Sequence, residues 1–136
     1  MEFNKLYKGS TEKELEGVWV DFAEGVELRI ARSGNPKFQE KLEQLLKPHR
    51  RKFRRGNIPL DLVRSLTQQA AIGTILVNWR GFTEKDENGK ELPVNFSEDK
   101  ALEYFKKSTD FVNDVLDFAD DMELFREDDQ EESGKN

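Results

Sequence analysis

Apolar and charged residues alternate strictly through Val26, Glu27, Leu28, Arg29 and Ile30, the period of a strand with one buried face. Val18, Trp19, Val20 and Phe22 form an apolar run before it, and Ala23-Glu24-Gly25 lies between the two. The segment therefore predicts an antiparallel hairpin. Two strands alone are marginal in water, so their apolar face has to rest on helices further along the chain. Asn35-Pro36 supplies a capping residue followed by proline at the first helical position, and Phe38, Leu42, Leu45 and Leu46 give that helix an inward stripe. Pro48 interrupts or kinks it.

Further on, Gly56-Asn57 closes a polar stretch and Pro59 opens a long helix. Ile72, Ile75, Leu76 and Trp79 recur at helical spacing, which carries that helix to Trp79, where Gly81 stops it. Phe82 to Asp86 and Glu91 to Val94 flank Asn88-Gly89, a pair that accepts the positive φ angles of a two-residue hairpin loop. Ser97 caps the next helix, with Glu98 and Asp99 in its first turn opposing the helix dipole. From Thr109, itself read as a cap, to about Arg126 the chain places Phe111, Val115, Phe118, Met122 and Phe125 on one stripe, with Val112, Leu116 and Ala119 beside it. Asp110, Asp114, Asp117, Asp120 and Asp121 take the other faces, as in an amphipathic helix with an acidic exterior.

The expected fold is α+β and mainly α: an N-terminal β-hairpin packed on a bundle of about four helices, with a short second hairpin between helices. Residues 1–16 read as a flexible N-terminal segment and 17–126 as a single mainly helical domain. Residues 127–136, EDDQEESGKN, contain no apolar side chain and read as a disordered acidic tail.

Charged residues make up 37% of the 136 and hydrophobic ones 35%, which implies one domain with a thin core and a strongly solvated surface. The net charge of −6 disfavours nucleic acid as a long-range partner. Cysteine is absent, which removes disulfides, thiolate nucleophiles and sulfur-ligated metal sites. No stretch approaches the roughly 20 apolar residues that span a bilayer, and the first residues lack a signal-peptide run. The expectation is a soluble cytoplasmic protein with no membrane partner.

Few residues invite chemistry. Lys47, Arg50, Arg51, Lys52, Arg54 and Arg55, with His49 and Phe53 among them, could bind phosphates or stack on a base. The run sits at a helix C-terminus, where cations oppose the dipole, in an acidic chain. A solvated or protein-facing role is the stronger reading, and the acidic residues between Asp120 and Glu132 could meet these cations within the chain or between subunits. His49 is the single histidine and has no ligand set around it. Asp86-Glu87-Asn88-Gly89 lacks the ligands of a calcium loop, and Ser97 and Thr109 have no histidine partner. Trp19 and Trp79 read as core residues before they read as interface anchors. No catalytic residue, metal ligand or cofactor site is expected.

The ordered set GVWVDF, GVELRIARSGNPKF, LLKPHRRKFRRG, ILVNWRGF and ENGKELPVNFSEDKALEYF, with an acidic end in GKN, resembles the tail assembly chaperones of long-tailed, siphovirus-type bacteriophages over essentially the whole chain. Its specificity lies in the order of short packing and turn motifs, since none is catalytic. The resemblance implies a non-enzymatic protein, absent from the mature virion, that works in the host bacterial cytoplasm. It implies binding to the tape measure protein, which stays soluble while the major tail tube protein is recruited during tail morphogenesis. It further implies self-association and a longer product of programmed frameshifting near Gly134-Lys135-Asn136. The family carries no fixed binding motif, so the expected partner-binding residues rest on the apolar stripes of the last two helices: Leu102, Phe105, Phe111, Val115, Phe118, Met122 and Phe125. The alternative is a small nucleic-acid-binding regulator working through segment 47–55.

Overall fold

The computed structural model describes residues 1–126. Its centre is a three-stranded antiparallel sheet in the order β1 (Val18–Ala23), β2 (Val26–Ile30), β3 (Leu76–Arg80). The expected hairpin forms, with Val20 opposite Leu28 and Val18 opposite Ile30. The register slips by one between Asp21 and Ala23, a bulge around Phe22 next to the turn.

The third strand corrects the expectation of one helix running from Pro59 to Trp79. α5 (Leu60–Ala71) ends at Ala71, and the chain turns through Gly73 at φ 85° before returning as β3. Thr74 holds this turn by donating its hydroxyl to the Ala70 carbonyl. The spacing of Ile72, Ile75, Leu76 and Trp79 suits a helix, but β2 needs a neighbour for its second edge, and Leu28 pairs with Trp79 in the observed register. Short apolar runs do not by themselves distinguish helix from strand.

Four helices of ten or more residues cover the sheet or each other: α3 (Pro36–Leu46), α5, α6 (Glu98–Lys107) and α7 (Thr109–Asp120). The expected fold class is therefore observed, a mainly helical α+β protein with its hairpin near the N-terminus. A 3-10 turn (Lys47–His49) follows at Pro48 and leads into α4 (Arg50–Arg54). Residues 1–16, expected to be flexible, contain α1 (Phe3–Leu6) and α2 (Thr11–Glu16). Gly9 bridges Arg126, and the Ser10 amide donates to the Phe125 carbonyl at 2.8 Å, so the two ends of the described chain meet.

Three further details depart from the sequence reading. The helix starting at Thr109 stops at Asp120 and yields to a 3-10 turn (Met122–Phe125), so Met122 and Phe125 leave the helical stripe. The cap of α7 is Ser108, whose hydroxyl accepts the Phe111 amide at 3.1 Å, while Thr109 is already helical. The second hairpin, β4 (Thr83–Lys85) with β5 (Glu91–Pro93), closes through three residues instead of two. Asp86 donates its amide to the Lys90 carbonyl, Gly89 alone takes positive φ (79°), and the Asp86 carboxylate accepts the amides of Asn88 and Lys90.

The core unites both parts. Val20, Leu28, Ile30, Leu76 and Trp79 from the sheet meet Ala71 and Ile72 of the α5 end, Ala101 and Phe105 of α6, and Val112, Val115 and Ala119 of α7. The other face of the sheet is polar: Arg80 pairs with Glu27 at 2.8 Å and lies 4.1 Å over the ring of Trp19, which is 37% exposed. The expected acidic tail lies outside the described residues; of the acids between Asp120 and Glu132 that could meet the basic run, the described Asp120, Asp121 and Glu123 form no ion pair with it, Glu123 pairing with Arg126 at 3.2 Å.

Candidate functional site

Trp79 organises an aromatic cluster. Its ring stacks on Tyr104 at 5.2 Å and meets Phe82 and Phe96 edge-on at 5.2 and 5.0 Å, while its indole nitrogen donates to the Val94 carbonyl at 2.8 Å. Phe82 in turn packs on Phe111 and Phe22, and Phe22 on Phe111 at 5.6 Å. Edge-to-face pairs of this kind add about 0.5–1.5 kcal/mol each beyond their buried area, so the cluster is held in one arrangement.

Its outer surface is open. Phe22, Phe82, Tyr104 and Phe111 line a depression of about 350 Å³ with Lys107, Ser108, Asp110 and Asp114. An adjoining depression of about 430 Å³ continues along α7, lined by Phe22, Asp114, Asp117, Phe118 and Asp121. The two share Phe22 and Asp114 and together form a groove with an aromatic floor and an aspartate rim. The bulge of β1 presents Phe22, the β3–β4 junction Phe82, α6 Tyr104 and Lys107, and α7 with its two flanking caps, Ser108 and Asp121, the rest.

The aspartates at 110, 114 and 117 follow one face of α7, and Asp121 stands just past its end. All four are exposed and, among the described residues, none forms an ion pair. Several acids elsewhere are paired, among them Glu84 with Lys100, Glu98 with Lys41 and Glu103 with Lys107. α7 has no basic residue in its last turn, where Asp117 and Asp120 face the negative end of its own dipole, whereas α6 places Lys106 and Lys107 there. Carboxylates spaced four apart on a helix each cost roughly 0.2–0.5 kcal/mol, so the row is destabilising in isolation.

Beside the groove, Tyr104 donates its hydroxyl to Glu84 at 2.5 Å, and Lys100 bonds the same carboxylate at 3.1 Å. The Tyr104 hydrogen bond and the Lys100 contacts hold the Glu84 carboxyl below its usual range. Burial, then the Glu84 carboxylate, pushes the Tyr104 hydroxyl up, so it is a neutral donor at any physiological pH.

The seven apolar positions expected to bind a partner divide by burial. Phe105, Val115 and Phe125 are buried at 3%, 0% and 2% exposure, while Phe111 sits at the core edge and also lines the groove. Phe118 is half-buried in the groove. Leu102 is half-buried on the far side, beside Lys41, Leu45 and Ile72, and Met122 lies under the N-terminal segment near Tyr7. Lys47, Arg50, Arg51, Lys52, Arg54 and Arg55 are all exposed, with Arg50 3.4 Å from Glu43. None of them lines the groove. Sequence reasoning missed Phe22, Phe82 and Tyr104 as surface residues, since their own patterns signal burial. The aspartate spacing was visible, but its neighbours were not.

Among the described residues no group of three acidic or histidine side chains is placed to hold a metal ion. Ser97 and Ser108 are engaged as helix caps. No described helix is long and apolar enough to cross a membrane. The arrangement can hold an apolar, cation-bearing surface against its aromatic floor.

Comparison with curated proteins and with solved structures returns no match. A family model described as YdaY prophage protein matches residues 33–136, from the end of the first hairpin onward. That span is most of the chain, and the protein accordingly belongs to the YdaY prophage protein family.

Proposed function

We propose that the protein is a tail assembly chaperone, which holds the tape measure protein in the aromatic groove, keeps it soluble in the host cytoplasm and helps bring tail tube protein to it. One observation carries this reading: an aromatic groove rimmed by aspartates that form no ion pair among the described residues, the form expected of a surface that receives an amphipathic helix. Prophage origin agrees with it. The protein then acts by binding and turns over no substrate. Nucleic-acid binding through 47–55 has only the exposure of those cations in its favour, against a net charge of −6.

Co-expression with the tape measure protein of the same prophage tests the reading. The unaltered chaperone keeps that protein in the soluble fraction, whereas Phe118→Asp, a change at a half-buried groove position, leaves the far-UV circular dichroism unaltered and loses the rescue. Rescue by the variant at the original level would remove the groove from the function. No rescue by the unaltered protein would remove the function itself.

A further inference from the structure

We propose that the occupant of the groove is a cationic amphipathic helix, whose apolar stripe covers Phe22, Phe82, Phe111 and Phe118 while its Lys or Arg residues pair with Asp110, Asp114, Asp117 and Asp121. The inference rests on the groove being the docking face and adds the chemistry of what docks there.

Shape and charge lead to the same partner. Asp110, Asp114 and Asp117 recur over about two turns of α7, or about 10 Å at the helical rise, and Asp121 follows just past its end, a line that a straight helix can follow. The floor is aromatic along that length, so an extended polar chain would leave it uncovered. Among the described residues the four rim carboxylates form no ion pair, Asp121 only accepting the Glu123 amide at 3.1 Å, and the cation at the rim's end, Lys107, is already engaged by Glu103 at 3.5 Å. An acidic or neutral helix would bury part of this rim uncompensated, which is disfavoured, while Lys or Arg would satisfy it. The same pairing would relieve the unfavourable placement of Asp117 in the last turn of α7.

The test uses the full-length protein and three synthetic peptides of about eighteen residues, about five helical turns. One is an amphipathic Leu/Lys helix, the second its neutral twin with Gln for Lys, and the third a scrambled Leu/Lys peptide without an apolar stripe. The amphipathic Leu/Lys peptide is expected to bind and gain helicity by circular dichroism, with the neutral twin and the scrambled peptide roughly tenfold or more weaker. Raising salt weakens the first peptide selectively, and Asp114→Asn/Asp117→Asn removes its advantage over the neutral twin. Equal binding of the neutral twin overturns the charge match yet leaves the groove as a docking face. Equal binding of the scrambled peptide reduces the effect to unspecific attraction and also overturns it. Absence of peptide binding together with tape measure rescue that ignores Phe118→Asp overturns both this inference and the groove reading. Sedimentation of the protein alone covers another occupant: a dimer dispersed by Arg51→Glu/Arg54→Glu would seat a second copy's basic segment in the groove and overturn the inference.

Discussion

Gly81 shows how closely the chain is fitted beside the groove. Its backbone sits at φ 104°, and a Cβ placed there would lie 1.8 Å from the carbonyl oxygen of Gly25 and 2.8 Å from its carbon. Gly81→Ala therefore has to part the β1–β2 turn from the β3–β4 junction that carries Phe82. It should destabilise the protein by about 3 kcal/mol, read as a lower urea midpoint. The sequence marked Gly81 as a stop signal, but its reason is close approach of two backbones, which only the folded chain creates. Glu84 gives a different prediction. Its folded-state pKa is depressed, first by the Tyr104 hydroxyl and then by Lys100, so the stability it contributes is present above the ordinary glutamate range and is lost as pH falls through the depressed value. Glu84→Gln should lower the melting temperature at pH 7, and the gap to the unaltered protein should close under acid conditions, where the native carboxyl is protonated as well.

At the level of elements, α7 carries a tension between stability and use. Its inner face is ordinary core, with Val115 and Ala119 fully buried, and its cap Ser108 holds the first turn. Its outer face sets like charges three and four residues apart and ends on acids. Asp114→Asn/Asp117→Asn should consequently raise stability by about 0.5–1 kcal/mol in urea denaturation while weakening client binding, the pattern of a surface maintained for function. Most other elements were readable because local rules coincide with the fold: Asn35 accepts the Phe38 amide as a cap, and Ser97 does the same for Lys100. Where the reading failed, a distant partner decided. Asn35 also donates to the Thr74 carbonyl at 2.9 Å, fastening α3 to the turn that converts the expected helix into β3. The Gly73 break was present in the sequence, yet an isolated glycine in an apolar run does not say that a strand edge awaits the residues after it.

Across the whole molecule a single core joins sheet and helices, and β2 is its middle. Leu28 is fully buried, pairs with Val20 on one side and Trp79 on the other, and belongs to the same cluster as Phe105 and Val115. Leu28→Ala should cost about 2–5 kcal/mol. In a Trp19→Phe background, the fluorescence of Trp79 and the far-UV signal of the helices should fall at one shared, lowered midpoint; separate midpoints would mean that sheet and helices unfold independently. The sequence alone determined the first hairpin, the caps and starts of α3 and α6 and the acidic exterior of α7, because each follows from residues within a few positions of one another. The third strand, the meeting of Gly9 with Arg126, and the groove were decided by tertiary structure. The groove gathers Phe22, Phe82, Tyr104 and Phe118 from four separate elements, and no pattern local to any one of them encodes that they share a surface.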